Sequence, residues 1–177
     1  MLAEAPVPPV HFNPTFLPQP QKLFEHLRAS VVWDERMKAR KTASFGVSYD
    51  YSQMSYAAQP MRADLAEICA AIQAELGFMP NNCLLNGYED GESSMGFHSD
   101  SSQELMPGTG VAIVSLGSPR AIAFRSKADR THQVDRLLPA GSLLYMSVEM
   151  QSLWLHAIPK APGAGPRISL TFRAIAT

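Results

Sequence analysis

The stretch Arg167-Ile168-Ser169-Leu170-Thr171-Phe172-Arg173 alternates without a break, sending Arg167, Ser169, Thr171 and Arg173 one way and Ile168, Leu170 and Phe172 the other. That period marks a β-strand with one apolar and one polar face. The chain keeps this character back to residue 82. Between Asn82 and Ala174, short β-rich runs are separated by turn signals at Glu89-Asp90-Gly91, Pro107-Gly108, Gly117-Ser118-Pro119, Pro139-Ala140-Gly141 and Pro162-Gly163-Ala164-Gly165. Short strands punctuated in this way predict a sandwich or jelly roll.

Nearer the N-terminus the period changes. Leu65, Ile68, Cys69, Ile72 and Leu76 recur at three- and four-residue steps, so a helix is expected from about Arg62 to Leu76, with Gly77 as its C-terminal cap. Leu23, Phe24, Leu27 and Val31 predict a second helix from Gln21. No helix of comparable quality is expected later. Six prolines between Pro6 and Pro20 predict an extended, frayed arm over residues 1–20. Thr42, Phe45, Val47, Tyr49, Tyr51 and Tyr56, punctuated by Gly46 and Ser48, predict two short strands forming a hairpin or lid over about 40–56. The expected whole is mainly β within the α+β class: a jelly-roll core at about 82–174 flanked by two N-terminal helices and a lid, all in one domain over 21–177.

A chain of 177 residues, 46% hydrophobic, can bury such a core. Its net charge of -1, from 15 basic and 16 acidic residues, gives no global footprint for a polyanion, so phosphate contacts would rest on local cations. Arg40, Lys41, Arg120 and Arg125 are the candidates, with solvated surface charge as the alternative. Cys69 and Cys83 form no CxxC pair and suit buried, inert thiols in a reducing compartment. With no secretory signal and no run of about 18 apolar residues, a soluble, cytoplasmic monomer is expected.

His98-Ser99-Asp100 puts an imidazole and a carboxylate on the same side of a strand, as two ligands of one metal require. An ordinary hydrogen-bonded pair has the same spacing. His156, in Trp154-Leu155-His156, can complete a two-His, one-carboxylate facial triad, whose open positions suit iron(II) rather than a closed zinc site. Arg167 and Arg173 stand about 20 Å apart along a straight strand, a span that a dicarboxylate lying along the polar face would bridge with both side chains reaching inward. The alternative is an edge strand with its arginines in water. Asn86 and Tyr88, on one face of Leu84-Leu85-Asn86-Gly87-Tyr88, offer further donors or form a satisfied core pair.

Taken in order, these blocks resemble the AlkB family of iron(II) and 2-oxoglutarate dioxygenases, closest to its compact bacterial and DNA/RNA-repair branch. The resemblance runs from Ala39-Arg40-Lys41-Thr42-Ala43-Ser44-Phe45-Gly46 through Asn82 to Tyr88, Phe97-His98-Ser99-Asp100, Glu104-Leu105-Met106-Pro107-Gly108, Ile113 to Gly117, Gly141-Ser142-Leu143-Leu144 and Trp154-Leu155-His156 to Arg173. It implies a double-stranded β-helix with His98, Asp100 and His156 as metal ligands. Arg167 would pair with the distal carboxylate of 2-oxoglutarate, and Arg173 would sit near its metal-bound end, with Asn86, Tyr88 and Ser169 supplementing the hold. Phe45, Tyr49, Tyr51, Ser52 and Ser102 would belong to the substrate pocket. The implied reaction uses O₂ and 2-oxoglutarate, and removes an N-alkyl group from a base in single-stranded or flipped-out nucleic acid, releasing formaldehyde, succinate and CO₂.

Two departures from the family's pattern are visible: Ser101-Ser102-Gln103 stands where repair members often carry an acid, and Ser169 where many carry asparagine. A 2-oxoglutarate-dependent hydroxylase or demethylase of a small molecule or protein side chain is the second reading. A zinc hydrolase, or a ligand-binding jelly roll without chemistry, would leave the two arginines unexplained.

Overall fold

A computed structural model describes residues 6–51 and 53–177, and of Tyr51 the backbone alone; Ser52 lies outside the described residues. In chain order the elements are β1 (His11–Asn13), α1 (Pro20–Ser30), β2 (Lys41–Gly46), β3 (Tyr49–Tyr51), β4 (Met54–Tyr56), α2 (Ala63–Leu76) and β5 (Asn82–Tyr88). They continue with β6 (Met95–His98), β7 (Val111–Gly117), β8 (Arg120–Ser126), β9 (Gln133–Leu138), β10 (Leu143–Met146), α3 (Val148–Leu153), β11 (Trp154–Ile158) and β12 (Arg167–Arg173). Six strands form one sheet in the order β1-β10-β7-β12-β5-β2, and four form a second in the order β6-β11-β8-β9. The β3-β4 hairpin stands apart. This is the predicted jelly-roll plan.

The alternation of β12 decides the layering. The strand lies inside the large sheet, paired antiparallel with β5 and β7, and all seven of its residues are buried. Ile168, Leu170 and Phe172 pack outward with Phe24 and Leu27 of α1 and Leu65, Ile68, Cys69 and Ile72 of α2. The opposite face of the sheet meets the smaller one through Ile113, Leu144 and Met146 against Ile122, Phe124, Trp154 and Ile158. Arg167, Ser169, Thr171 and Arg173 therefore point into the space between the sheets. An edge strand with its arginines in water is excluded, because β12 has a partner on each side.

Helix α2 matches its prediction to within a residue, and Gly77 caps it in the left-handed conformation at φ 84°. Two expectations are corrected, and one short element is added. The arm is not simply frayed: His11–Asn13 pairs with β10, and the Leu17 amide donates to the Gly141 carbonyl at 2.9 Å. Pro9 and Pro14 bracket this run, which keeps it at three residues on the sheet edge. The lid is shorter than 40–56, because Lys41–Gly46 joins the large sheet beside β5 and leaves β3-β4 as the hairpin. At Gly46, φ is 91° and a Cβ would stand 2.1 Å from the Asn81 carbonyl, so a glycine is required where the chain leaves the sheet. Finally, a third helix exists. In α3 the Ser147 hydroxyl accepts from the Met150 amide, and six residues are too few for helical periodicity to show in sequence.

Both cysteines are free and buried. Burial raises the Cys69 thiol to about 11 and lifts Cys83 well above its ordinary range, so neither is a thiolate at neutral pH. Among the described residues no helix is long and apolar enough to cross a membrane.

Candidate active site

Strand β11 brings the three predicted ligands together. It pairs with β6 so that His156 stands opposite His98, and Asp100 follows two residues after His98. Asp100 Oδ1 lies 3.5 Å from His98 Nε2, and its Oδ2 lies 3.5 Å from His156 Nε2. One ligand atom from each residue falls within 4.8 Å of the others, a group that fits a single ion. His98 offers Nε2, since its Nδ1 is 2.8 Å from the Gly96 carbonyl and is placed to donate to it, and His156 turns its Nε2 toward Asp100. Two neutral nitrogens and one carboxylate make a donor set for a divalent first-row metal, and the residues present fit iron(II).

Electrostatics prepare the group for a cation. Burial opposes the charge on Asp100, but the His98 hydrogen bond and the charge of Arg173 outweigh it and hold the carboxyl well below its usual range. Burial lowers His156 to about 4, so its imidazole is neutral at neutral pH. For His98 burial also lowers the pKa, but the hydrogen bond and charge of Asp100 prevail and the net shift is upward.

The unpredicted helix α3 braces this loop. Buried Gln151 accepts from the Asp100 amide through Oε1 at 2.6 Å, and its carbonyl accepts from Ser99 Oγ at 3.0 Å and Lys127 Nζ at 2.9 Å. Partners behind a metal ligand are typically worth about ten- to a hundredfold in metal affinity. Gln151→Met keeps the shape and deletes the acceptor, so anaerobic Fe(II) titration should show a loss of that order. An unchanged dissociation constant would make Gln151 a packing residue only.

On the inner side of the triad a narrow slot of about 20 Å³ runs along β12, lined by Asn86, Tyr88, Arg167, Ser169, Thr171 and Arg173. Arg167 is 1% exposed and Arg173 2%. Arg167 Nη2 donates to Ser115 Oγ at 3.0 Å, and Arg173 Nη2 to Asp100 Oδ1 at 3.4 Å. The Nε and Nη1 of both arginines have no hydrogen-bond partner. Buried guanidinium nitrogens left in this state are costly without an anion, and four of them along one slot fit a dicarboxylate. Tyr88 lies between two guanidiniums, 5.0 Å from Arg167 and 5.5 Å from Arg120.

On the outer side the triad opens into a cavity of about 610 Å³, lined by Met37, Arg40, Tyr49, Asp50, Met54, Phe97 and Glu104 among others. Tyr49 is there as predicted, but it is only 8% exposed and lies 4.7 Å from the Arg173 guanidinium. The expected role of Ser52 and of the Tyr51 side chain lies outside the described residues. Two other expected substrate residues are elsewhere. Phe45 packs against the helix layer and the Arg62 guanidinium, and Ser102 lines a neighbouring cleft with Ser99, Asp100 and Gln151 and another with Leu105 and Met106.

The candidate phosphate contacts also divide. Arg120 is buried and donates to the carbonyls of Asp90, Ser93 and Pro159, and Arg40 is buried against Asn86 and the Ser94 carbonyl. Lys41 pairs with Glu35 and Glu89. Of the four, Arg125 stays half-buried, over the Phe97 ring. Sequence reasoning missed Glu104, Asp50, Phe97 and Gln151. The Glu104-Leu105-Met106-Pro107-Gly108 block was visible, but nothing local signals that its first residue lines the outer cavity.

Comparison with known proteins agrees with this geometry. The family model described as the 2OG-Fe(II) oxygenase superfamily matches residues 17–173. The chain is 33% identical over 147 residues to the DNA oxidative demethylase ALKBH2 of Homo sapiens, covering 77% of this chain and 56% of that protein. It is 35% identical over 147 residues to the Mus musculus protein of the same name, covering 77% and 62%. The chain thus spans a little over half the length of these relatives. The solved structure of OsALKBH1 superposes with a TM-score of 0.69 at 18% identity, over 96% of this chain and 100% of that one, which supports the fold. With its His98, Asp100 and His156 triad set in that fold, the chain belongs to the AlkB family of the 2OG-Fe(II) oxygenase superfamily, whose members work with iron(II) and 2-oxoglutarate.

Proposed function

We propose that this chain is a dioxygenase that oxidatively demethylates N-alkylated bases in single-stranded DNA or RNA. The observation that carries the proposal is the pair of compartments meeting at one triad: a cationic slot along β12 on one side and a cavity of about 610 Å³ on the other. The slot holds the cosubstrate and the cavity the base. Similarity to proteins named DNA oxidative demethylases supports the nucleic-acid part.

Bound iron and 2-oxoglutarate supply the oxidising chemistry, with O₂ consumed and succinate, CO₂ and formaldehyde released. His98, Asp100 and His156 would hold the metal, and a donor set of three would leave it room for further ligands. Arg167 takes the distal carboxylate of 2-oxoglutarate. Arg173, which already touches Asp100, steadies the metal-bound end, and Asn86, Tyr88 and Ser169 wall the slot. The Nε and Nη1 donors that each arginine leaves without a partner supply this hold, while Nη2 stays on Ser115 or Asp100. The β3-β4 hairpin, through Tyr49, Asp50 and Met54, walls the substrate side.

The test is a screen of oligomers carrying one N-methyl base, single-stranded and duplex, beside free nucleosides, with succinate and formaldehyde measured per product. Single strands should be preferred. With Arg40 and Arg120 buried and Lys41 already paired, few cations are left to neutralise phosphates, so duplex affinity and its salt dependence should be small. Pre-unpaired bases also avoid the few kcal/mol needed to extract one from a duplex. The same shortage of cations favours the second reading, a hydroxylase of a small molecule or protein side chain. Succinate formation with no oligomer accepted would select it.

A further inference from the structure

We propose that Phe97, backed by Arg125, is the stacking platform for an unpaired nucleobase next to the reacting one; this rests on the nucleic-acid reading above. The local geometry begins with an irregularity. Between the partner pairs His156/His98 and Ile158/Met95, β11 advances two residues while β6 advances three. An extra residue in one strand re-aims the side chains around it. Met95 and His98 both line the inner slot as a result, and Phe97 between them lines the outer cavity with His98 and Asp100.

Arg125 is placed by the same sheet. It stands opposite Leu155, one step from His156, so it occupies the face of the small sheet away from the ligand row. Its guanidinium carbon lies 3.8 Å from the Phe97 ring centroid, and Nη2 donates to Gln133 Oε1 at 3.2 Å. Gln133 is its cross-strand partner in β9. The guanidinium is thus held by the Phe97 ring and by the Gln133 side chain. Phe97 is half-buried and belongs to none of the three apolar clusters among the described residues, so its ring is not part of the core.

A rigid aromatic ring with a guanidinium on one side, at the wall of a cavity that also presents Arg40, Asp50 and Glu104, is matched to a flat polar ring joined to an anion. Unpaired nucleotides have that chemistry, and base–aromatic stacking tolerates any base. A long aliphatic ligand would cover Arg40, Asp50 and Glu104 without offering them a polar contact of its own.

The experiment measures binding under anaerobic conditions with Fe(II) and 2-oxoglutarate present, so that no turnover occurs. Fluorescence anisotropy compares a labelled single-stranded pentamer carrying one N-methyl base with pentamers in which the 5′ or the 3′ neighbour is abasic. For wild type, loss of the stacked neighbour should weaken binding about 5- to 100-fold. Phe97→Leu should weaken the intact pentamer by a similar factor and make the abasic change cost nothing further, because both remove one contact. Phe97→Trp should bind at least as tightly as wild type, and its added indole fluorescence should be quenched by the pentamer. Independent, additive losses, or Phe97→Leu binding like wild type, would overturn the platform while leaving the nucleic-acid reading standing. A wild-type protein that binds no pentamer would overturn both.

Discussion

Asp100→Ala is expected to abolish iron binding and succinate formation together. Asp100 is the triad's single anion and is ionised in the folded protein, with Arg173 and both imidazoles around it. Removing one member of a buried charge cluster costs about 3–5 kcal/mol, since it strands the charge left behind, here Arg173. A metal meeting two imidazoles and an uncompensated guanidinium is repelled as well as under-ligated. The anaerobic protein with Fe(II) and 2-oxoglutarate should show a weak visible charge-transfer band, and the variant should lose it. If Asp100→Ala also lowers the melting temperature, His98→Ala is the cleaner probe, because it leaves the Arg173–Asp100 pair in place. A band and a succinate yield that survive both substitutions would remove the metal assignment from this triad.

The triad and the β12 arginines were legible because each rests on strand periodicity. His98 and Asp100 are two apart, and Arg167 to Arg173 alternates without interruption, so the sequence already sorts their side chains by face. The large sheet preserved that sorting because β12 is paired on both sides. Phe97 could not be read in this way. One extra residue in β6 breaks the period, and a bulge has no composition of its own.

Arg120 and Arg40 misled for a different reason. A cation beside a turn suggests surface, yet Arg120 satisfies three carbonyls from two loops that meet only in three dimensions. The carboxylate that repair relatives often place right after the HxD motif is absent from Ser101-Ser102-Gln103, but Glu104 and Asp50 bring carboxylates to the same cavity from farther along the chain. Local spacing could not pair those two residues, because a turn and a hairpin from different parts of the chain supply them.

Arg167→Ala is expected to weaken 2-oxoglutarate binding by at least about 2 kcal/mol, because it leaves a carboxylate buried without its fork. The slot offers no replacement at that end. Arg120 lies 5.5 Å from the other guanidinium's neighbour, the Tyr88 ring, and its Nη1 and Nη2 are committed to the Asp90, Ser93 and Pro159 carbonyls. Arg167→Lys should recover only part of the loss. An ammonium keeps the charge but cannot present two parallel donors, and burial, which already lowers the pKa of Arg167, disfavours the charged form of a lysine more readily. Fe(II) affinity without the cosubstrate is the internal control, since Arg167 touches Ser115 and the Tyr88 ring rather than a metal ligand. Titrating 2-oxoglutarate into the anaerobic iron complex and following the visible band reads the cosubstrate constant directly. Equal constants for wild type, alanine and lysine variants would place the distal carboxylate elsewhere, with Arg173 as the next residue to test. A loss confined to the cosubstrate constant would fix the direction of 2-oxoglutarate in the slot, with its metal-bound end toward Asp100 and its far end between Tyr88 and Ser115.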